Sequence, residues 1–228
     1  MRPASDPAAE IGEGFLARAS AVVYWLLVTE ALVVLTTAPA LAAVVFLAGG
    51  EGNAPLIGLC FVPVAPALSA AVFAWRVFLV DRGLAPAKHF WRGYRLNLPD
   101  VLRWWAPTLV VLTVLGFTLA NLDLAGAPAG YGPVLSLVAL GILLWSAQAL
   151  VLSSTLSLRT RDLVRLAGYY LGARPAAAFG TLSLLVAAAG IVVLTSDWVL
   201  VLLASPFTLI LLRTTEPVLR DATERFTA

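Results

Sequence analysis

The sequence predicts an all-α membrane protein: a polytopic bundle of about six transmembrane helices with two short cytoplasmic interfacial helices. Hydrophobic residues make up 61% of the 228 residues and charged residues only 12%, whereas soluble domains are about half apolar and about a quarter charged. Six apolar stretches approach the roughly 20 residues that a helix needs to cross a bilayer core. The basic residues lie only in or beside alternate connections between these stretches and near the two ends of the chain.

The predicted transmembrane domain covers residues 21–213, between an N-terminal segment (1–20) and a C-terminal tail (214–228). The fifth and sixth spans are separated only by Ser196 and Asp197, so we expect an antiparallel hairpin. The first stretch is too long for the apolar part of a signal peptide and follows an acidic leader, so we expect it to stay as a membrane anchor. The spans are predicted at about 21–48, 56–80, 101–120, 133–157, 176–195 and 197–213.

The basic residues also predict the orientation. All 15 lie before the first span, in or beside the connection between the second and third, in the connection between the fourth and fifth, or at or after the end of the sixth. The only charged residues in the other three connections are Glu51, Asp123 and Asp197, all of them acidic. Because cytoplasmic loops are enriched in Lys and Arg, we expect both termini in the cytoplasm. The preference for Arg over Lys, with abundant Ala, Gly and Pro, is typical of a GC-rich bacterial genome, and we expect a location in the bacterial plasma membrane.

The first long inner connection is predicted to form a short amphipathic helix over residues 86–98, with the third span starting after it at Pro99. Phe90, Tyr94 and Leu98 recur at helical spacing and form an apolar stripe. Lys88, Arg92 and Arg95 also recur at helical spacing and form a basic face on a different side of the helix. An apolar face beside a basic face is typical of a helix at the membrane surface.

The second long inner connection repeats this plan. Leu163, Leu166 and Tyr170 form the apolar stripe, and Arg161 and Arg165 form the basic side. Two interpretations apply to both helices. They are either interfacial anchors whose arginines contact anionic lipid, or docking surfaces for a cytoplasmic partner.

Three polar residues are predicted within the membrane. Glu30 lies nine residues from the inner end of the first span, about 13 Å deep, and Gln148 lies at the same depth in the fourth. An ionised carboxylate there costs at least about 2.5 kcal/mol, so it should face the bundle interior. Arg76, near the inner end of the second span, is within reach. Two interpretations are open. Glu30 pairs with Arg76 or hydrogen-bonds to Gln148 and so holds helices together, or these three residues line a polar site for transport.

Five of the seven tryptophans cluster near the predicted inner interface. Their amphipathic rings favour the headgroup region, so we expect an aromatic belt in contact with lipid. The five are Trp25, Trp75, Trp91, Trp104 and Trp105.

No pattern for catalysis is present. A single cysteine, Cys60, and a single histidine, His89, exclude an internal disulfide and a site built on two imidazoles. The phosphate loop, the dinucleotide fingerprint, the paired-histidine zinc motif and the serine nucleophile elbow are absent from the sequence. We therefore expect no enzyme activity, no cofactor and no metal, and the net charge of +2 gives no basis for binding nucleic acid.

Two stretches carry a resemblance to a known family: residues 64–76, with the sequence VAPALSAAVFAWR, and residues 89–97, with the sequence HFWRGYRLN. A Pro-Ala-x-x-Ala-Ala helix ends in a basic residue, and an aromatic and basic segment with a final Asn follows. This arrangement resembles the YesL-like family of bacterial membrane proteins. Residues 170–175, with the sequence YLGARP, resemble the later repeat of that loop in the family.

The resemblance implies a cellular context and no chemistry. YesL-like proteins have no established activity and are often encoded beside carbohydrate-uptake ABC transporters. The chain is therefore expected to be a non-enzymatic accessory component of such a system, in contact with the lipid bilayer and with a permease or ATPase subunit. The docking or interfacial candidates are Phe90, Trp91, Arg92, Tyr94, Arg95, Asn97, Arg161, Arg165 and Tyr170.

Two other functions stay open. A small stand-alone transporter or channel would use a polar intramembrane site around Glu30 and Gln148. A purely structural membrane protein would use its helices only for packing and lipid anchoring.

Overall fold

The computed structural model describes residues 15–47, 52–80, 83–128, 130–156 and 158–226. All the regular elements in these ranges are α-helices, which confirms the predicted fold class. They are α1 (Phe15–Leu47), α2 (Ala54–Cys60), α3 (Val64–Val80), α4 (Pro86–Ala120), α5 (Tyr131–Thr155), α6 (Thr160–Ala173), α7 (Pro175–Leu194), α8 (Asp197–Val201), α9 (Ala204–Thr214) and α10 (Glu216–Phe226).

Five helical segments in the described part of the chain are long and apolar enough to cross a membrane. They correspond to the first five predicted spans. The second consists of α2 and α3, which are joined by a turn at residues 61–63. The five segments are Ala19–Leu47, Ala54–Val80, Pro86–Ala120, Tyr131–Thr155 and Pro175–Leu194.

The first interfacial helix is not a separate element, and this part of the prediction is wrong. Helix α4 runs without interruption through Pro99. An internal proline removes one backbone hydrogen bond and usually kinks a helix, but α3 packs along α4 just before this point, and after it Trp105 bonds the Phe61 carbonyl in the turn between α2 and α3. Gly93 lies so close to Phe73 that a Cβ at Gly93 would stand 2.7 Å from the Phe73 Cβ. Asn97 donates a hydrogen bond to Ser69. The second interfacial helix is separate, as predicted, and is α6.

The sixth predicted span is not a single helix either. Leu202 and Leu203 form a turn that divides it into α8 and α9. Pro206 lies in the first turn of α9, where its missing N–H is tolerated because that group would have no partner within the helix. The pair still returns alongside α7 in the antiparallel sense, because α8 begins three residues after α7 ends and Thr214 packs against Gly180.

Helix α3 lies at the centre of the bundle. Ten of its 17 residues are buried, many of them alanines that let neighbouring helices approach closely. Helices α1, α4, α5 and α9 all contact it. Three of the five tryptophans predicted near the inner interface are part of this core and do not form a lipid-facing belt. Trp25 and Trp75 are fully buried and Trp104 is 2% exposed, so the predicted belt is wrong for these three residues.

The connections predicted to be cytoplasmic gather at one end of the bundle. The Trp25 indole N–H donates to the Gly83 carbonyl, which links α1 to the α3–α4 connection. The Arg76 guanidinium donates to the Thr155 carbonyl at 2.6 Å, which links α3 to the end of α5. The predicted N-terminal segment lies mostly outside the described residues, and much of the predicted tail forms α10.

Candidate functional site

Glu30 caps the start of α9, the second half of the broken sixth predicted span. Its Oε2 accepts a hydrogen bond of 2.6 Å from the backbone N–H of Ser205, and the N–H of Ala204 approaches the same carboxyl group. The side chain of Ser205 in turn accepts a hydrogen bond of 3.2 Å from the Trp75 indole. Glu30, Ser205 and Trp75 therefore join α1, α9 and α3 at one buried point.

This arrangement satisfies the first turn of α9 inside the bundle. A helix start leaves its first N–H groups without intrahelical partners, and in hydrocarbon no water can replace them. Leu203 stands at the N-cap position and has no polar side chain to accept them. Pro206 has no N–H, and the N–H of Phe207 bonds the Leu203 carbonyl. A carboxyl group 175 residues away in sequence serves as the cap.

The structure does not bring the three predicted intramembrane residues together. Arg76 is exposed and bonds the Thr155 carbonyl, and Gln148 donates to the Thr181 hydroxyl at 3.3 Å. The expected pairing of Glu30 with Arg76 or Gln148 is therefore wrong, because the carboxyl group bonds the backbone N–H groups of the broken helix instead. Two acceptor atoms, Glu30 Oε1 and Gln148 Oε1, are buried without a partner in the described part of the bundle.

A second polar cluster joins α3, α4 and α5. Ser69 accepts hydrogen bonds from the Asn97 amide at 3.0 Å and from the Ser154 hydroxyl at 2.8 Å. Two of these residues belong to the stretches that carry the family resemblance. Asn97 was predicted as a docking or interfacial residue; its side chain instead links α4 to α3 through Ser69, which also bonds α5.

The basic residues of α4 and α6 form two exposed faces. We define the α4 face as Lys88, Arg92 and Arg95, and the α6 face as Arg161 and Arg165. All five side chains are exposed. The ion pairs found among the described residues involve other arginines, so none of these five is neutralised within that part of the chain. Trp91 and Tyr169, 39% and 55% exposed, stand among them.

The apolar stripes of the same helices point inward. Phe90 and Tyr170 are fully buried, and Leu163 is 3% exposed. The remaining docking candidate, Tyr94, is half-buried and packs on Phe90 with ring centroids 6.4 Å apart. The predicted docking list thus divides into outward residues (Trp91, Arg92, Arg95, Arg161 and Arg165) and inward residues (Phe90, Asn97 and Tyr170).

A clasp at the C-terminal end of the chain was not predicted. Asp221 in α10 accepts hydrogen bonds of 2.8 Å from the Tyr170 hydroxyl and from the Arg174 guanidinium. The Asp221 side chain is only 13% exposed, and Val218 and Ala222 of the same helix are fully buried. No sequence signal connects residues about 50 positions apart, although the apolar spacing of Val218 and Ala222 indicates an amphipathic helix.

The comparisons with known proteins return no relatives. No family model matches the chain, and no curated protein or solved structure matches it either. The part of the chain that the structure describes also brings no three His, Cys, Asp or Glu side chains into one group. Any functional argument therefore starts from the two basic faces and the bundle interior.

Proposed function

We propose that this chain is a non-enzymatic integral membrane protein that docks an acidic surface of a cytoplasmic partner through the α4 and α6 faces. We further propose that it acts as an accessory component of carbohydrate uptake by an ABC-type transporter. The first part is supported by the two basic faces. The second rests on the resemblance of residues 64–76 and 89–97 to the YesL-like family.

The observation that carries the proposal is the inward direction of the apolar stripes. A helix that anchors itself in the interface buries its apolar face about 5–10 Å into the lipid. Here Phe90 and Leu163 are buried inside the protein instead. The outward sides carry Arg and Lys with Trp91 and Tyr169, beside the exposed side chains of Leu96, Asp162 and Val164. Arg, Trp and Tyr are the residues most enriched at the energetic centres of protein interfaces.

Charge reversal tests the proposal. Arg92→Glu combined with Arg95→Glu should lower the recovery of transporter subunits, purified with the tagged protein from native membranes in mild detergent, by more than about tenfold. Like charges placed across an interface cost several kcal/mol, and about 1.4 kcal/mol is already a factor of ten. Recovery of the unmodified complex should also fall between 50 and 500 mM salt, because salt screens exposed charges.

The matched control is Arg213→Glu combined with Arg220→Glu. It makes the same change in charge at two exposed arginines outside both faces. Equal recovery of the transporter subunits with the two double variants would overturn docking through the α4 face. If the variant instead keeps its partner but loses bound anionic lipid, the faces are lipid anchors and the proposal fails.

A further inference from the structure

Helix α6 differs from the helices on either side of it. It covers 14 residues between α5 and α7 and is not one of the five segments that are long and apolar enough to cross a membrane. An isolated helix of about this length is marginal in water, so packing contacts decide where it lies. The position of the α6 face, Arg161 and Arg165, therefore depends on what holds α6 against the bundle.

Side-chain hydrogen bonds hold α6 near both of its ends. In the N-terminal half, the Val164 carbonyl accepts a hydrogen bond of 3.2 Å from the Trp145 indole of α5. At the C-terminal end, the Tyr170 hydroxyl and the Arg174 guanidinium both donate to Asp221 at 2.8 Å. The first bond comes from a neighbouring span, whereas Asp221 belongs to α10, the last helix that the structure describes.

Asp221 is itself held firmly in place. Val218 and Ala222, on the same side of α10, are fully buried, and the Asp221 side chain is only 13% exposed. Hydrogen bonds to an ionised group are roughly twice as strong as neutral ones, and a sheltered ion pair is screened less by salt than an exposed pair. The other ion pair of α10, Glu216 with Arg220, is more exposed and lies within α10, so it does not hold α6.

We propose that Asp221 is a positioning residue for docking: it fixes the C-terminal end of α6 and thereby the orientation of Arg161 and Arg165. This inference rests on the proposed docking function. Because α6 is one continuous helix, a movement of its C-terminal end also moves the N-terminal half that carries both arginines. A preformed surface binds more tightly, because less has to be ordered when the partner docks. Helix α10 thus contributes to the affinity without contacting the partner.

Hydrogen exchange tests the structural part of this inference without any partner. In the purified protein in detergent, Asp221→Ala should speed amide exchange in the C-terminal half of α6 at least about fivefold. Two hydrogen bonds to a charged group are lost, so local opening becomes easier. Glu224→Ala, which removes an exposed acidic side chain from the same helix, is the control. Unchanged exchange in α6, or an equal increase in the control, would overturn the inference.

Recovery of transporter subunits tests the link to docking. Asp221→Ala should lower this recovery about three- to tenfold, and Asp221→Asn, which keeps an acceptor for the Tyr170 hydroxyl, should lower it less. In a chain that carries Arg161→Ala and Arg165→Ala, Asp221→Ala should cause no further loss, since the side chains that it positions are gone. An additive loss in that chain would show general destabilisation and overturn the positioning role.

The same variants separate this inference from the docking function on which it rests. If Arg161→Ala with Arg165→Ala leaves recovery unchanged, docking through the α6 face fails and the inference fails with it, even where exchange in α6 responds to Asp221→Ala. If the double variant loses the partner but Asp221→Ala does not, docking through the α6 face stands and only the positioning role of Asp221 is overturned.

Discussion

Helix α7 and the α8–α9 pair are neighbouring apolar segments that run antiparallel, yet only α7 is continuous. Helix α7 covers Pro175–Leu194 without a break, and few of its residues are buried. The α8–α9 pair breaks at Leu202 and Leu203, and its second half is held by Glu30 and Trp75. In the membrane a helix can be interrupted only where other groups satisfy its backbone. The break is therefore tolerated because the α8–α9 pair finds these partners inside the bundle.

The largest expected effect is the loss of the cap. Glu30→Leu should lower the free energy of unfolding by about 2–3 kcal/mol, because each buried N–H left without a partner costs about 1–3 kcal/mol. Glu30→Gln keeps an acceptor oxygen and should lose only about 1 kcal/mol. Unfolding in mixed micelles with increasing denaturing detergent would measure both. Equal losses in the two variants would show that the hydrogen bond to α9 is not what Glu30 contributes.

The Glu30→Gln variant also addresses the transporter alternative. If Glu30 carries protons for transport, Glu30→Gln should abolish pH-dependent solute flux in proteoliposomes that contain only this protein. If Glu30 only caps α9, the variant should insert and fold, and its solute flux should equal that of the unmodified protein. The contacts of Glu30 favour the second outcome.

A smaller effect is expected where α7 meets α9. Gly180→Ala should lower the free energy of unfolding in detergent by about 1–2 kcal/mol, since the new Cβ would collide with the Thr214 methyl group. Gly190→Ala in the same helix is the control, because nothing lies within 4 Å of a Cβ there. Thr214→Ser removes the methyl group and should restore most of the stability lost by Gly180→Ala. Failure of this rescue would mean that the two helices do not touch at Gly180.

The smallest effect concerns the link between α9 and the core. Ser205→Ala should cost about 1 kcal/mol of stability, because the buried Trp75 indole loses its acceptor. In a Trp75→Phe background the same substitution should have almost no effect. Additive losses from the two substitutions, measured in a double-mutant cycle, would contradict the hydrogen bond.

Composition and charge were sufficient to predict the all-α bundle and the first five spans, because both are properties of whole segments. The helix break at Leu202 and Leu203 was not predictable in this way. Both residues are as apolar as their neighbours, and the group that makes the break tolerable, Glu30, lies in the first helix. At Pro99 the error was the opposite one: a helix boundary was predicted, but α4 is continuous there and packs against α3.

The candidate site was predicted less well than the fold. Helical spacing correctly separated Arg161 and Arg165 from the buried stripe that contains Tyr170. It could not show that Asn97 turns inward to Ser69, because a polar residue in an amphipathic helix is equally compatible with either side. The pairing of Asp221 with Arg174 depends on tertiary packing alone.

The contact between Glu30 and Ser205 also has a consequence for how the protein is made. Because 175 positions separate the two residues, synthesis at about 5–20 residues per second places roughly 10–35 s between them. During that interval the first helix carries a carboxyl group whose final partner has not yet been translated. We expect α1 to reach its mature position only after α9 emerges, so that nascent chains ending before Ser205 should leave Glu30 accessible to water at the translocation machinery.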